Sequence, residues 1–588
     1  MIRDFFRVVT INLSSGQSSI EEVAGRNDVA GGSGLATLLF NKYGHIDKPW
    51  DDPEQPLIFA IGPLTGYFPL MSKTVCAFRS PYHNQFAESH AGGRSALALR
   101  FADLDAAVIT GRAAKPVCLS LGSRHIQMKE AHYLWGMDVF TTGKYLRQMF
   151  RGSGHRSILR IGPAGERGSP MACINADTYR HFGRLGGGAV MGAKNIKGIV
   201  IQGDATFRLP DSKDYPLLFE EVYKQLAGTD MMSKYHDIGT PINVMPLNKL
   251  RALPVRNLQQ TSDPDVEEIS GEKFAEAALL RNNACAGCPV GCIHIGFVRE
   301  QFSKEHRYLY RQVSYDYEPI FAMGSMLGLF DCFKVLDIIE ITERMGLDVI
   351  AGGVALAWAT EALSKGIVSE KETILPLKFG DSNVYKEAVK HLGMGTNEFY
   401  ETLGKGTMVA AERYNGREFA CVLGQEMAGY ATGEVFLASQ ALGFRHSHLD
   451  SGGYAYDQKT QDKHVGTAVD FLVREEQSRV FLTSMLACLF ARGVYNDEIL
   501  GRCLSSVGYS DLAGNIADVG RSIQKLRWMT RVATGFDPNS VSIPKRFTEI
   551  VNWKGAIDTE YLRDIKDAYS KKICELSKGN DTKSEEQT

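Results

Sequence analysis

Three cysteines packed into eight residues, Cys285-Ala-Gly-Cys288-Pro-Val-Gly-Cys292, constrain this chain more than any other feature. Small residues and a proline between the thiols let the backbone wrap a ligand, and thiols held this close are an oxidation liability without one. A disulfide framework is a poor reading, because eleven cysteines in 588 residues is an odd and modest count. The segment predicts a metal site. Zinc requires a fourth ligand close by, for which His294 is available. An iron–sulfur cluster takes its fourth thiolate from far along the chain. Spacing alone leaves both open.

The knot sits inside a chain whose hydrophobic period changes along its length. From residue 1 to about 205 the pattern is short β-branched runs cut by Gly or Pro, among them RVVTINL, PLIFAIGP, KTVCAF, AAVITG, VCLSLG, SILRIGP and GIVIQG. Beyond the polar stretch ATFRLPDSKDYP the period lengthens, with helices expected at YPLLFEEVYKQLAG, GEKFAEAALLRN, FKVLDIIEITERMG, VALAWATEALSKG and FYETLGKGTMVAAERYN. A Gly-rich, less periodic stretch over 418–457 precedes long helical patterns at 466–492 and 511–535. The fold class expected is α+β: a β-rich domain over 1–205, then two mostly helical domains over 206–417 and 418–588, with a polar tail from Lys578.

Charge removes whole classes of partner. With 66 basic against 68 acidic residues the net charge is −2, so no global basic field holds nucleic acid or an anionic membrane. No apolar run approaches the ~18 residues of a membrane span, and the start of the chain lacks the apolar core of a secretory signal. A cytoplasmic protein is expected. The 59 glycines fall in discrete clusters within apolar sequence rather than in repeats, which excludes a collagen-like chain.

Those clusters are Gly31-Gly32-Ser33-Gly34, Gly92-Gly93-Arg94 and Arg184-Leu185-Gly186-Gly187-Gly188. Each can bring backbone N–H groups against an anion, and two carry an arginine able to pair phosphate. None has Rossmann or P-loop spacing. Three in one sheet-rich domain point to a large phosphorylated cofactor. Two further segments carry titratable groups in Gly or Pro settings: Tyr315-Asp316-Tyr317-Glu318-Pro319 and Arg445-His446-Ser447-His448-Leu449-Asp450. Preceding proline, Glu318 is expected in extended backbone at a helix start, with its carboxyl in an apolar surround that raises its pKa.

Taken together, GPLTG at 62–66, ESHAGGR at 88–94, VITGRA at 108–113, RIGPAGE at 160–166, GRLGGGAVMGAKNIKGIVI at 183–201 and CAGCPVGC resemble the tungsten-dependent aldehyde:ferredoxin oxidoreductase family. The resemblance runs from about 31 to 490. It implies that the β-rich domain cradles tungsten held by two molybdopterins, with Mg2+ bridging their phosphates, and that the helical domains close over it. It implies a 4Fe-4S cluster on Cys285, Cys288, Cys292 and the distant Cys488. By position Glu318 resembles the family's active-site glutamate and His448 its histidine, with His446 close enough to contest the second role.

The family's pterin motif Asp-x-x-Gly-Leu-Asp appears as Glu343-Arg-Met-Gly346-Leu347-Asp348. In the second copy Thr483 stands where Asp is usual, and Leu486-Ala487 replace Gly-Leu ahead of Cys488. Ser33 replaces a usual Arg. The resemblance further implies pterin contacts from His90, Gly92, Gly93, Arg184, Gly186, Gly187 and Gly188. The implied activity is oxidation of an aldehyde to a carboxylic acid, with electrons passing through the cluster to ferredoxin or an iron–sulfur subunit in a homo- or hetero-oligomer. The alternative is the tungsten subunit of a low-potential, benzoyl-CoA-type reductase. Glu318 would act as base and His448 as hydrogen-bond donor.

Overall fold

The computed structural model describes residues 3–303, 305 and 307–578. Its first two hundred residues build two six-stranded sheets. In order across the first lie Gln17–Val23, Phe6–Asn12, Ala106–Thr110, Leu57–Ala60, Thr74–Arg79 and Phe86–Ala91; only Phe6–Asn12 and Ala106–Thr110 pair in parallel. Across the second lie Arg180–Phe182, Ile174–Ala176, His155–Arg160, Ile196–Gly203, Val117–Leu121 and Ile126–Glu130. All seven β-branched runs are strands. Of the strands that sequence missed, Gln17–Val23 and Ile126–Glu130 are exposed edges whose apolar signal is weak, whereas Phe86–Ala91 and the three-residue Ile174–Ala176 are buried without a β-branched run.

After Gly203 the chain is mostly helical, as the lengthened period requires. The helix Cys332–Met345 starts where Asp331 accepts from the N–H groups of Phe333 (3.0 Å) and Lys334 (3.1 Å), and stops at Gly346 with φ 72°. Asp348 then caps Val349–Ser364 through the Ile350 N–H at 3.0 Å. That helix is apolar on every side and is almost wholly buried. One expected helix is cut short: Gly271–Ala277 gives way to the strand Leu279–Asn283. Another, over 399–415, breaks at Gly404-Lys405-Gly406 into two.

The larger departure is a ribbon inside the helical part. Strands Leu279–Asn283, Ile293–Ser303 and Arg307–Tyr315 pair antiparallel into a three-stranded sheet. Its central strand begins directly after Cys292, and its last strand ends just ahead of Glu318, with His294 opposite Tyr315. Among the described residues no single helix is long and apolar enough to cross a membrane.

Candidate redox and proton-transfer site

The cysteine knot is held by all three parts of the chain. Gly93 accepts from the Ala286 N–H at 2.9 Å, the Leu70 N–H reaches the Gly287 carbonyl at 3.4 Å, and the Leu70 carbonyl accepts from the Cys488 N–H at 2.9 Å. One residue of the β-rich part thus clasps the knot and the distant cysteine together. A Cβ on Gly92 would lie 2.6 Å from Cys285 Sγ, so glycine is needed there to let the knot approach the sheet. The Arg180 Nη2 lies 3.8 Å from Cys292 Sγ.

Burial pushes the Cys288 thiol up to about 11 and the Cys292 thiol up to about 12, and the charge of Cys488 adds to both. The four cysteines therefore converge. Among the described residues no three His, Cys, Asp or Glu side chains close around a single ion. His294 is not a fourth ligand: it is buried, and its ring nitrogens face the backbone carbonyls of Cys292 (3.2 Å) and His236 (2.9 Å). A knot whose fourth thiol comes from far along the chain is the arrangement an iron–sulfur cluster accepts. All eleven cysteines are free thiols.

On the same end of the ribbon, Glu318 Oε1 lies 3.2 Å from His448 Nε2 and accepts from the Tyr430 hydroxyl at 3.2 Å. Two sequence expectations for Glu318 need correction. The extended residue is Asp316, the N-cap of the helix Tyr317–Met323, and Glu318 lies in the first helical turn. Its carboxyl is not raised. Burial alone would lift it, but the hydrogen bond and charge of His448, its own N–H and the Tyr430 hydroxyl hold it below the usual 4.5. Tyr430, whose pKa is driven well above 10 by burial and by Glu318, stays a donor.

The loop carrying His448 is wound around Asp450, whose carboxylate accepts from the Arg445 N–H (2.8 Å), Arg445 Nε (2.7 Å) and the Ser447 N–H (3.2 Å). This winding separates the two histidines. His446 is turned into the core against the Ala441 carbonyl (2.9 Å) and Arg531 Nη2 (2.5 Å), whereas His448 faces Glu318. Placement sets His448, not His446, beside Glu318. With Nε2 directed at Glu318, the buried Nδ1 of His448 has no partner.

Glu343 is buried, contacts the Ser314 hydroxyl at 3.3 Å, and has an unpartnered Oε2. Burial, reinforced by the charges of Glu340 and Asp316, raises it to about 8 against the Ser314 hydrogen bond and the charge of Arg160. Asp348 pairs with Arg184 Nε at 3.0 Å, and Arg184 Nη2 donates to the Glu426 carbonyl at 2.8 Å. Leu347 is buried and bridges Ala172, while the Gly346 carbonyl accepts from the Cys173 N–H at 2.9 Å. The motif 343–348 is thereby laid against the segment that leads into Gly186–Gly188.

Those three glycines are packing residues on their Cα side. A Cβ at Gly186 would meet Pro81, one at Gly187 would meet Phe78 at 3.1 Å and Ile174 at 3.4 Å, and one at Gly188 would meet the Cys173 carbonyl at 2.5 Å. The Gly188 N–H is already bonded to the Ala172 carbonyl at 3.1 Å. A side chain at Gly187 would disturb the core.

On the opposite side, Ser33 Oγ lies 3.2 Å from Thr483 Oγ1, 3.3 Å from Glu88 Oε1 and 3.4 Å from His90 Nε2. Glu88 is held by Arg527 at 2.5 Å, and burial lowers His90 to about 4. Two positions that depart from the family pattern are therefore in contact, a hydroxyl pair standing where a cation and an anion were expected. Leu486 keeps the left-handed backbone of the second motif copy, φ 58°, which Gly346 adopts at 72° in the first.

The N-terminal domain of aldehyde ferredoxin oxidoreductase matches residues 8–203, and domains 2 and 3 of the same enzyme match residues 218–572. The chain belongs to the aldehyde ferredoxin oxidoreductase family. It is an oxidoreductase. The tungsten-containing aldehyde ferredoxin oxidoreductase of Pyrococcus furiosus is 29% identical over 575 residues, covering 93% of this chain and 92% of that one. The aliphatic sulfonate oxidoreductase WOR-like subunit of the same organism is 28% identical over 457 residues, covering 74% and 70%. Among solved structures, the active-site complex BamBC of benzoyl coenzyme A reductase with 1,5-dienoyl-CoA matches with a TM-score of 0.81 at 18% identity, over 97% of this chain and 95% of that one. At that identity the likeness is one of fold.

Within this aldehyde ferredoxin oxidoreductase fold, sequence reasoning missed Tyr430 and Leu70. Tyr430 lies in the aperiodic 418–457 stretch, where a tyrosine after Gly429 gives no spacing signal. Leu70 acts through its backbone, with φ 58°, which no side-chain pattern reveals.

Glu343 yields a stability prediction. Its carboxyl is raised in the folded state, so its contribution is complete below pH 4.5 and is lost as pH rises toward 8, at about 1.4 kcal/mol per pH unit. In thermal melts of cofactor-free protein, Glu343→Gln should match wild type near pH 4.5 and exceed it at pH 8. Parallel pH profiles would show that Glu343 is ionised in the fold.

Proposed function

We propose that this chain is a tungsten bis-pterin enzyme that oxidises an aldehyde to its carboxylic acid and passes the electrons, one at a time, through a 4Fe-4S cluster on Cys285, Cys288, Cys292 and Cys488 to a ferredoxin or ferredoxin-like subunit. The observation that carries the reading is the ribbon: its central strand starts directly after Cys292 and the strand paired with it ends three residues before Glu318, so the cysteine knot and the carboxylate–imidazole pair share one end of one supersecondary unit. Electron and proton leave a substrate together, and that end of the ribbon has groups for both.

The cofactor donor set fits in kind. Glu343, with its unpartnered oxygen, and Asp348 can meet the N–H and C=O edges of a pterin, Arg184 keeps one guanidinium nitrogen for phosphate beyond its two bonds, and His90 with Ser33 and Thr483 lines the second side. A Mg2+ between the phosphates, backbone contacts from Gly92, Gly93 and Gly186 to Gly188, and the domain limits 1–205, 206–417 and 418–588 belong to the same proposal. When bound, the tungsten centre would supply the two-electron step.

The chain supplies the rest. Glu318, ionised at neutral pH, accepts the proton released as the carbonyl carbon is oxidised. Tyr430 and His448 fix its orientation through Oε1, and the free Nδ1 of His448 is left to exchange a hydrogen bond with substrate oxygen. Tyr317 and Tyr430, packed 5.1 Å apart, exclude water on that side.

One feature favours the second reading, low-potential reduction of an aromatic thioester: the Ser33–Thr483 hydroxyl pair alters the charge of the second pterin side from the family pattern. Anaerobically purified protein assayed for tungsten, iron and dye reduction over an aldehyde panel separates the readings. Tungsten with aldehyde-dependent reduction is the expected result. Tungsten with no aldehyde activity, and reductant-dependent turnover of a benzoyl thioester, would overturn it.

A further inference from the structure

A cavity of about 390 Å3 opens beside the cysteine knot, lined by Gly93, Arg94, Arg147, Arg156, Arg180 and Ala284, among others. It touches the knot on three sides. Gly93 holds the Ala286 N–H, Ala284 precedes Cys285, and the Arg180 guanidinium lies 3.8 Å from Cys292 Sγ. Cys285, Cys288 and Cys292 are only half-buried, and Ala284 and Gly287 are exposed.

The charge on this wall is unbalanced. Arg180 is paired with Asp316 at 3.0 Å, but among the described residues Arg94, Arg147 and Arg156 have no carboxylate partner. Arg156 Nη1 reaches only the carbonyls of Arg147 (3.3 Å) and Phe150 (3.0 Å). The one carboxylate in the lining, Asp177, is already used by the N–H groups of Arg94 (2.7 Å) and Ile158 (3.1 Å) and by the Ser157 hydroxyl (2.9 Å). Three guanidinium groups without a carboxylate partner thus line one opening, on a chain whose net charge is −2. Guanidinium forks suit carboxylates, and a wall of one sign steers an oppositely charged partner to it.

We propose that this arginine wall is the docking face for an acidic iron–sulfur electron carrier, which sets its own cluster over Ala284 and Gly287. The proposal rests on the cluster reading above. One electron crosses per encounter: this chain's cluster is oxidised by one and the carrier's is reduced by one, or the reverse when the carrier donates. The carrier's acidic side chains take the place of the missing partners of Arg94, Arg147 and Arg156.

The test measures binding, which needs no substrate. Full-length protein is titrated with a purified acidic 4Fe-4S ferredoxin by calorimetry at several ionic strengths, and the same samples are assayed for iron and for reduction by a small neutral mediator. In Arg147→Glu/Arg156→Glu protein, Kd should rise about tenfold or more at low salt and lose most of its salt dependence, with iron content and mediator rate unchanged. Arg147→Lys/Arg156→Lys should recover most of the affinity. Unchanged Kd in the Glu variant overturns the proposal. So does tight binding of inorganic phosphate or a nucleotide that is lost in the variant while ferredoxin Kd stays constant, which makes the cavity a small-anion site. Should the Glu variant fold poorly, Arg147→Glu alone, at an exposed helix position, must give a smaller shift of the same sign. Absence of iron in wild type would refute the cluster reading without touching the binding result.

Discussion

Glu318→Gln should lower turnover per bound tungsten by roughly 10²- to 10⁴-fold while leaving tungsten and iron content unchanged. The substitution keeps the shape of the side chain and both of its hydrogen-bond positions, and it removes only the charge and the basicity. Its neighbours can accommodate an amide, since Oε1 remains an oxygen able to accept from both the Tyr430 hydroxyl and the His448 Nε2–H. Packing around the first turn of Tyr317–Met323 is untouched, so the loss reads proton transfer. A loss smaller than about threefold would remove Glu318 from the mechanism.

The pH profile carries the same argument. Because its carboxyl is held below 4.5, Glu318 stays ionised across the neutral range, and rate should fall only as pH drops through that lowered value. Tyr430→Phe removes one of the hydrogen bonds that favour the carboxylate, so the acid limb should move upward toward 4.5. A profile that does not move would show that Tyr430 leaves the Glu318 carboxyl unaffected.

Much of this was legible in sequence, and the illegible parts have identifiable causes. Strands with buried β-branched runs announced themselves, and so did the helices Asp214–Ala227, Cys332–Met345 and Val349–Ser364, because burial on one or all faces imposes a period. The ribbon Ile293–Tyr315 did not, since much of its far half is exposed and alternates weakly. At the site, residue types with unusual spacing or neighbours, the knot and the RHSHLD segment, could be singled out. Which histidine faces Glu318 could not, because that follows from how Asp450 gathers three donors and turns the loop. The pKa of Glu318 was misread for a related reason: an apolar surround was visible in Tyr315, Tyr317 and Phe321, whereas His448 and Tyr430 arrive from more than a hundred residues away. The glycines of 186–188 were recognised as special, but not that a Cβ there would meet Pro81, Phe78 or the Cys173 carbonyl, a packing demand that spacing does not announce.

Cys488→Ala should abolish the 4Fe-4S signal or convert it to a three-iron form, and carrier-linked electron transfer should fall to background. Three thiolates from one tight loop leave one iron of a cubic cluster without a thiolate, and Leu70 pins Cys488 against the knot, where it would supply the fourth. The remaining cysteines are poor substitutes: Cys118, Cys173 and Cys503 are buried in their own packing, and Cys574 lies on the last long helix. Cys503→Ala therefore serves as a control with an intact spectrum. His294→Ala adds a second discrimination. A zinc site completed by imidazole would lose its metal in that variant, whereas a cluster on four thiolates keeps its visible spectrum, because both ring nitrogens of His294 are directed at backbone carbonyls. Full retention of a four-iron spectrum in Cys488→Ala would place the fourth ligand elsewhere. It would also leave the clasp by Leu70 as a purely structural joint between the β-rich part and the last helices.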